Sequence, residues 1–407
     1  NMIYLIVVIR HFGPVKEIDI RIYPLTVFIG TQGSGKSTVS KVLTICNDMN
    51  WIMSLLNGGD QKVPFVKFCI DEYFYDDSFI EYEVQNSFGH YIIQYKEGKF
   101  DVEVKDGSKD LLSQSIQSFI FSANQVLLSQ LGVTDFSDID VLKKYRDIIN
   151  SNSRTILYVP AERNLAGVMS TSLASMLTAK VPLYDALVEY MSVFEKAKHE
   201  FKTYQVPFLK STFTLVDGKE RIQLTDSVDG KERMLPLQAC SSGLQSVLPL
   251  IMVIDYALRL KCFDSFVIEE PEQNLYPSNQ RELLLFLLSR FGELGNLILT
   301  THSPYMLSCL NVAMLAQRIV KEFPDIQHEF VDAYKSISLD SDEVAVYALN
   351  QESETYCVNL KNEKTQLIGI NSLDLVSDVI GDDFDRLYRL YMKLKRDGYD
   401  TKNRSNR

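Results

Sequence analysis

Short, continuous runs of apolar residues recur along the chain and alternate with longer segments of helical spacing. The runs lie in LTVFI, RTILYVP, SFVIEEP and NLILTTHSP, each bounded by polar or turn residues. Such runs are typical of strands that are buried on both faces of a parallel sheet. Helices are predicted over about 36–57, from 241 onward and over 278–291. This alternation predicts an α/β fold with a mixed sheet.

Two other patterns interrupt this alternation. Residues 64–105 alternate polar and apolar positions and are rich in aromatic and β-branched residues, which predicts an antiparallel β subdomain. Residues 109–150 and 170–204 have mostly helical patterns and predict an inserted helical lobe, interrupted by a core strand near 154–160. We therefore expect four segments: 2–108 with the first glycine-rich loop and the β-meander, 109–205 with the helical lobe, 206–310 with the second half of the core, and 311–407, an extension that completes it.

Composition and charge narrow the class of protein. The 407 residues are 46% hydrophobic, which is enough for one large core or two ordinary ones. The net charge of −11 argues against a protein wrapped in nucleic acid, so any DNA contact must be local. The six cysteines contain no CxxC pair and predict buried thiols in a reducing, cytoplasmic environment. The early run IYLIVVI is too short to cross a membrane, and we expect no membrane contact.

The stretch VFIGTQGSGKSTVSKVL places a glycine-rich loop between a predicted strand and a predicted helix. It matches the pattern GxxxxGK[ST], in which glycines let backbone N–H groups turn toward phosphate oxygens and the helix N-terminus adds positive charge. Lys36 would reach the β- and γ-phosphates, and the Ser37 hydroxyl would bind Mg²⁺. The predicted nucleotide-binding residues of this loop are Gly30, Thr31, Gln32, Gly33, Ser34, Gly35, Lys36, Ser37 and Thr38.

Two adjacent carboxylates end the predicted strand in FVIEEPEQNLYP, residues 266–277. Because side chains alternate along a strand, Glu269 and Glu270 are expected to face different directions. We predict that Glu269 lies beside the metal ion and that Glu270 is the base that polarises an attacking water. Without the glycine-rich loop, the same pair would more often be a solvated strand end.

Two further motifs follow the pattern of a phosphate site. His302 comes after the apolar run of LILTTHSPYML, in a turn before Pro304. A lone histidine is more often structural than functional, but its place after the carboxylate strand favours a neutral imidazole in contact with the γ-phosphate. The stretch CSSGLQS, residues 240–246, is a small polar turn that opens a helix and is a second candidate phosphate cradle.

These four motifs occur in the order found in ABC-type ATPase domains, and the chain resembles the non-transporter branch of that family. EEPEQNLYP, TTHSPYML and YVPAER are similar to the stand-alone AAA-family ATPases related to overcoming-lysogenisation-defect (OLD) and SMC/RecF-like proteins. The resemblance covers residues 2–50 and 154–310. It implies an ABC-type P-loop NTPase fold with ATP and Mg²⁺ as cofactors, Glu269 at the Walker B position, Glu270 as catalytic base and His302 as switch residue.

The resemblance also implies a homodimer that holds ATP between its two copies. Ser242, Gly243 and Gln245 match the signature motif, which in this family contacts the nucleotide of a second protomer. Asn274 falls in the loop near that interface. ATP would favour closure of the dimer because the γ-phosphate contacts both copies, and hydrolysis would remove that contact.

Several features depart from the related families. Residues 161–163, Ala-Glu-Arg, follow the strand where ABC domains carry a Q-loop glutamine, and Leu244 replaces the second glycine of many signatures. Many OLD relatives carry a Toprim nuclease after the histidine. Asp340 and Asp342 offer a DxD pair, but no EGE-like strand end precedes them. We therefore predict an ATPase without a built-in nuclease.

The resemblance implies an ATP-driven dimer that controls a separate effector protein, a nuclease or toxin, in anti-phage defence or DNA repair. The alternative is an ATP-gated clamp on DNA, for which the candidate basic stretches are residues 143–146, 196–202 and 393–404. A transporter's nucleotide-binding subunit is a third class. The missing Q-loop glutamine and the EEPE motif argue against it.

Overall fold

The computed structural model of the chain describes residues 4–130, 156–169, 183–206, 208–216, 218–225, 230–260, 263, 265–325, 328–332 and 334–396. Within these ranges the chain forms strands and helices joined by loops and short 3₁₀ turns. The strands are β1 (Tyr4–Phe12), β2 (Val15–Arg21), β3 (Leu25–Gly30), β4 (Phe74–Asn86), β5 (Gly89–Lys96), β6 (Lys99–Val104), β7 (Ile156–Val159), β8 (Thr203–Val206), β9 (Ser211–Val216), β10 (Lys219–Thr225), β11 (Glu232–Leu235), β12 (Ser265–Glu269), β13 (Asn296–Thr301), β14 (Val344–Leu349) and β15 (Cys357–Asn359). The helices are α1 (Lys36–Cys46), α2 (Met49–Leu56), α3 (Val63–Lys67), α4 (Lys109–Gln130), α5 (Asn164–Val168), α6 (Asp185–Phe201), α7 (Ser242–Leu260), α8 (Pro277–Ser289), α9 (Phe291–Leu294), α10 (Pro304–Glu322), α11 (Glu329–Asp332) and α12 (Ser372–Arg396).

A six-stranded sheet contains the strands that the continuous apolar runs predict. Its order is β15-β14-β3-β13-β12-β7, and every neighbouring pair except β14 and β15 is parallel. β3 and β12 are buried along their whole length, as expected for strands covered on both faces. Because parallel strands share one carboxyl edge, the loops after β3, β7, β12 and β13 come together there. Open α/β sheets bind their ligands at this edge.

Two antiparallel sheets complete the β-structure. One has the order β2-β1-β4-β5-β6 and joins the N-terminal hairpin to the predicted meander. The other has the order β11-β10-β9-β8 and follows α6. The predicted α/β fold with a mixed sheet and an antiparallel β subdomain is therefore confirmed.

The central sheet separates two hydrophobic clusters. Along β12, Phe266 and Ile268 belong to one cluster and Val267 to the other, as the alternation of strand side chains requires. Helix α7 packs in the first cluster through residues such as Leu248, whereas α1 packs in the second through residues such as Val42. The loop between β3 and α1 is thus anchored at both ends in the core.

The predicted helix over residues 36–57 is two helices. α1 ends at Cys46 and α2 begins at Met49. The Asp48 carboxylate accepts hydrogen bonds from the backbone N–H groups of Asn50 at 3.0 Å and Trp51 at 3.3 Å, which makes Asp48 the N-cap of α2. The new direction of α2 brings the Trp51 ring edge-on to aromatic rings of the β subdomain.

Some predictions lie outside the described residues, namely the basic stretch 143–146, residues 170–182 of the helical lobe and the tail after residue 396. The described parts of that lobe are α4 and α6. No helix in the described ranges combines the length and the apolar character needed to cross a bilayer. The division into four segments stays a prediction.

Candidate nucleotide-binding site

The glycine-rich loop leaves β3 at its carboxyl end and enters α1 at Lys36. Gly33 and Gly35 have φ angles of 73° and 95°, a left-handed conformation that costs residues with a side chain free energy. No side chain caps α1, so its first N–H groups are available to an anion. In the outer turn of the loop, Thr31, Gln32 and Gly33 are exposed. At the start of α1, Ser37 is half-buried and Thr38 is buried.

The Lys36 ammonium folds back onto the glycine-rich loop. Its Nζ donates to the carbonyl oxygens of Gly30 at 3.0 Å and Thr31 at 2.9 Å, and it lies 3.4 Å from the Ser34 hydroxyl. Burial lowers the pKa of Lys36 to about 8, against the opposing effect of nearby carboxylates, chiefly Glu270. The loop therefore holds a cation at the point where the phosphates of a nucleotide are expected.

The C-terminal part of the chain supports this loop from behind. A Cβ atom at Gly30 would overlap the carbonyl oxygen of Leu349, and one at Gly35 would lie 2.7 Å from the Tyr356 hydroxyl. That hydroxyl donates a hydrogen bond to the Ser34 carbonyl. β14 also pairs in parallel with β3 along its whole length. The shape of the loop thus depends on residues more than 300 positions away in sequence.

Glu269 is the last residue of β12 and is only 3% exposed. Burial raises the pKa of this carboxyl to about 7, whereas the Lys41 ammonium and the hydroxyls of Tyr158 and Ser37 favour its charged form. Its Oε1 is buried and has no hydrogen-bond partner among the described residues. A carboxylate oxygen in this state, beside a serine hydroxyl, is a donor set that fits Mg²⁺.

Magnesium would need further ligands at this position. In the described part of the chain, no group of three or more His, Cys, Asp or Glu side chains could hold a metal ion by itself. Mg²⁺ commonly binds through one or two carboxylates together with substrate phosphates and water. The site therefore fits a magnesium ion that arrives with a nucleotide.

Glu270 follows the end of β12 and leaves the strand conformation with a φ angle of 43°. Its N–H donates to the carbonyl of Thr300 at 3.0 Å and lies 3.2 Å from the hydroxyl of the same residue. Its Oε1 lies 3.6 Å from Nε2 of His302, and both side chains are about one third exposed, at 33% and 31%. Glu270 is more exposed than Glu269 because the strand ends between them. The alternation of side chains along a strand is not the cause.

The surroundings of His302 favour the neutral form of its imidazole. Burial lowers its pKa, the nearby Lys36 ammonium lowers it further, and Glu270 acts in the opposite direction. A neutral imidazole can donate from one nitrogen and accept at the other. The structure thus brings Lys36, Glu270 and His302 to one edge of the sheet.

A buried glutamate fixes the turn that carries His302. Glu272 Oε1 accepts hydrogen bonds from the Thr301 hydroxyl at 2.7 Å and from the His302 N–H at 2.9 Å. The Ser303 hydroxyl, 2.5 Å from the Gln280 side chain, extends the same network. The loops after β12 and β13 are therefore linked by side chains as well as by strand pairing.

Arg163 is fully buried and fastens the backbone that follows β12. Its Nη1 donates to the carbonyl oxygen of Glu269 at 2.7 Å, and its Nη2 donates to that of Glu270 at 2.6 Å and of Pro271 at 3.1 Å. Such hydrogen bonds from a charged donor are the strong ones in a protein interior. Arg163 therefore fixes the main chain of both predicted catalytic-site glutamates.

Glu162 lies in the short 3₁₀ turn that follows β7. It accepts a hydrogen bond from the Tyr184 hydroxyl at 2.6 Å, and its charge acts on Glu269 to raise the pKa of that carboxyl. An acidic side chain in this turn thus acts on the buried carboxyl at the end of β12.

The signature turn lies against the loop that follows β12. Ser242 begins α7 and is exposed, and a Cβ atom at Gly243 would lie 3.0 Å from the carbonyl oxygen of Asn274. Asn274 itself has a φ angle of 63°. The Gln245 amide faces its own chain, and its contact with the nucleotide of a second protomer stays a prediction. The amide donates to the carbonyl oxygens of Cys240 at 2.9 Å, Gln238 at 3.0 Å and Leu237 at 3.3 Å.

Charged residues in the candidate basic stretch 196–202 and in the DxD pair form ion pairs within the chain. Lys198, in the basic stretch 196–202, is 3% exposed and forms ion pairs with Glu195 and Glu220. Asp340 caps a 3₁₀ turn that contains Asp342 and pairs with a lysine of α10. Lys198 and Asp340 therefore have structural roles, and the functional interpretations of the two stretches stay predictions.

Sequence reasoning assigned no role to Arg163, Glu272 and Tyr356. A charged residue in the short turn after the buried strand β7 is a signal that could have singled out Arg163. The run of acidic residues in EEPE could have done the same for Glu272. Tyr356 lies in a polar stretch with no motif, and only the pairing of β14 with β3 brings it to the loop.

Comparison with known proteins gives one family. The model of the family described as "AAA domain, putative AbiEii toxin, Type IV TA system" matches residues 25–308. That range contains the glycine-rich loop, the signature turn, both glutamates of 269–270 and His302. No curated protein matches the chain.

Solved structures of SMC head domains are similar to the chain. The Smc head domain of Pyrococcus furiosus with an extended coiled coil, bound to the C-terminal domain of ScpA, is 12% identical with a TM-score of 0.40, and the match covers 89% of this chain and 98% of that chain. The SMC head domain of Thermotoga maritima is 12% identical with a TM-score of 0.38, and the match covers 76% of this chain and 92% of that chain.

Proposed function

The chain belongs to the AAA domain family whose model matches residues 25–308, and from this premise we propose that it binds ATP with Mg²⁺ and hydrolyses it at the carboxyl edge of its central sheet. The observation that carries this proposal is the convergence of Lys36, Glu269, Glu270 and His302 from three separate loops. A loop that merely contained glycine and lysine would not need buried carboxylates beside it.

Each residue has a distinct part in the proposed reaction. The loop N–H groups and Lys36 bind the β- and γ-phosphates, and Ser37 and Glu269 hold the metal ion. When bound there, Mg²⁺ would supply positive charge against the negative charge that develops on the phosphates. Burial of Glu269 raises the free energy of its charged form, so this carboxylate gains from a cation at its unpartnered oxygen.

Glu270 is the proposed base. Its carboxylate accepts a proton from the water that attacks the γ-phosphorus, while the bond from that phosphorus to the bridging oxygen breaks and ADP leaves with the electron pair. His302, neutral and 3.6 Å from Glu270, is placed to donate a hydrogen bond to the γ-phosphate. Arg163 holds the backbone of Glu270, and Glu272 holds the backbone of His302. Both act as positioning residues.

We further propose that two copies close around ATP and that closure controls a separate effector protein. Support for the dimer is the exposed Ser242 at the start of α7, with the half-buried Gly243 beside it and the N–H groups of a 19-residue helix behind it. The family description names a toxin of a type IV toxin–antitoxin system. The proposed partner is a nuclease or toxin in anti-phage defence or DNA repair, and of these terms the description contains only the toxin.

The test compares wild type with Glu270→Gln in a phosphate-release assay with Mg²⁺ and ATP. We expect hydrolysis at least about 100-fold slower because a positioned base is lost. ATP binding should persist and the ATP-dependent dimer should last longer. Glu293→Gln, at an exposed position of α9, is the matched control and should keep the wild-type rate. Unchanged hydrolysis in Glu270→Gln would refute the assignment, as would normal ATP affinity in Lys36→Ala.

A further inference from the structure

The last described helix, α12, exposes an apolar surface that no other described part of the chain covers. It is 25 residues long, about 37 Å. Ten of its large apolar side chains are between 39% and 66% exposed, which is unusual for so many on one helix. The most exposed are Val379, Ile380, Phe384, Leu387 and Tyr391.

These side chains follow the spacing of a coiled coil. Ile380, Leu387 and Leu394 recur every seven residues, and Phe384 and Tyr391 lie four residues after two of them. Alternating steps of four and three place all five on one stripe of the helix. We call this set the α12 stripe. It extends over about two heptads, and Leu373, seven residues before Ile380, continues the spacing but is half-buried against the main core.

The charges of α12 are divided into two blocks. Every acidic residue lies in the first part of the helix and every basic residue in the second, with the change between 385 and 386. The acidic residues are Asp374, Asp378, Asp382, Asp383 and Asp385, and the basic residues are Arg386, Arg389, Lys393, Lys395 and Arg396.

Pairs within the helix account for only the middle of this division, where Arg386 lies 3.9 Å from Asp383. The helix dipole favours acids and bases only within the first and last turns, whereas Asp382, Asp385 and Arg389 lie near the middle. Within each block, like charges also stand four residues apart, as at Arg389 and Lys393, and destabilise an isolated helix. A partner with the opposite order of charge would remove this repulsion.

We propose that the α12 stripe pairs in antiparallel orientation with the α12 stripe of a second copy of this chain, without nucleotide. Antiparallel pairing sets the acidic half of each helix beside the basic half of the other, whereas parallel pairing would set like charges together. The acidic half also disfavours DNA or an anionic membrane as the occupant. This contact goes beyond the ATP-dependent dimer and does not rest on it, because it needs neither the loop nor the signature turn.

The consequence for the molecule is a tether. Two copies held together through α12 keep their nucleotide sites at high effective concentration between rounds of ATP binding. Closure on ATP would then be an intramolecular event.

The first test is sedimentation velocity of the full chain without nucleotide at micromolar concentration. We expect a wild-type dimer, and a dissociation constant at least about 100-fold weaker for Leu387→Asp, since symmetry removes two buried leucines per dimer. Leu375→Asp is the matched control. Leu375 is 50% exposed and lies nine residues, or two and a half turns, from Phe384, on the opposite side of the helix. A monomeric wild type, or equal dimerisation of the two variants with equal circular dichroism, would overturn the proposal.

The second test separates antiparallel from parallel pairing. One variant reverses the basic half with Arg389→Glu and Lys393→Glu, and the other reverses the acidic half with Asp382→Lys and Asp385→Lys. Each alone should dimerise at least about 10-fold more weakly than wild type, and an equimolar mixture should recover a heterodimer. If each variant alone dimerises as well as wild type, antiparallel pairing is excluded. ATPase activity per chain at saturating ATP reports separately on the proposed function.

Discussion

Replacing Arg163 by lysine should damage the nucleotide site although the residue contacts no substrate. Arg163 is 0% exposed and spans the main chain after β12 with two short hydrogen bonds, 2.7 Å to the Glu269 carbonyl and 2.6 Å to that of Glu270. Lysine keeps the positive charge but has one nitrogen in place of the planar fork. It can replace at most part of this pattern.

The expected magnitude follows from the contacts. A hydrogen bond from a charged donor contributes about 1.5–3 kcal/mol. Losing two of them, with the third carbonyl at Pro271 served by the lysine ammonium, costs about 3–6 kcal/mol of unfolding free energy. Because the same bonds fix the backbone of Glu270, we also expect a kcat loss of about 100-fold, the effect of a shift of about 1 Å in a catalytic group.

The assay combines urea unfolding with ATP turnover at a temperature where the variant stays folded. Arg259→Lys is the control, because that side chain is 60% exposed and pairs at the surface with Glu200. It should change stability by less than about 1 kcal/mol and leave turnover intact. Should Arg163→Lys retain both the wild-type unfolding midpoint and wild-type kcat, the positioning role of Arg163 would be wrong.

Three further predictions concern the same site. Burial lowers the pKa of Lys36 to about 8, and ATP binds the protonated form. Calorimetry should therefore show that ATP affinity falls as pH rises through about 8, whereas the affinity of Lys36→Arg should not change with pH. A wild-type affinity that does not change with pH would contradict the assignment. Tyr356→Phe removes the hydrogen bond to the Ser34 carbonyl and should lower the unfolding free energy by about 1 kcal/mol in urea titrations, and an unchanged midpoint would show that the hydroxyl does not brace the loop. Glu272→Ala frees the His302 N–H and should lower kcat roughly tenfold with ATP binding retained, so loss of binding alone in a filter assay would argue for a purely structural effect.

The central sheet could be predicted because its strands are buried on both faces. That burial requires uninterrupted apolar runs, and the runs at 25–29 and 265–268 are visible in sequence without knowledge of their neighbours. The break between α1 and α2 was missed because it depends on a single cap. Asp48 lies within a pattern whose apolar spacing continues across it, and only its hydrogen bonds to Asn50 and Trp51 end the helix.

The site could be predicted only where its residues are neighbours in sequence. The glycine-rich loop and the pair Glu269–Glu270 are each contiguous, so their chemistry follows from a short pattern. Arg163 acts on carbonyl groups more than 100 positions away, and no local pattern specifies which backbone a buried guanidinium will meet. The orientation of Gln245 likewise depends on the turn before α7, whose carbonyl groups take its amide hydrogens.

The place of β3 between β13 and β14 has a consequence for biosynthesis. A ribosome that has made the glycine-rich loop must add roughly 300 more residues before β14 exists, which takes on the order of 15–60 s at common elongation rates. Until β13 is made, the buried strand β3 has neither of its final neighbours, and until β14 is made it has only one, which makes it a target for chaperones. Prematurely terminated chains would therefore carry the whole glycine-rich motif and still lack a working nucleotide site, so that an unfinished molecule could not act before its C-terminal half arrives.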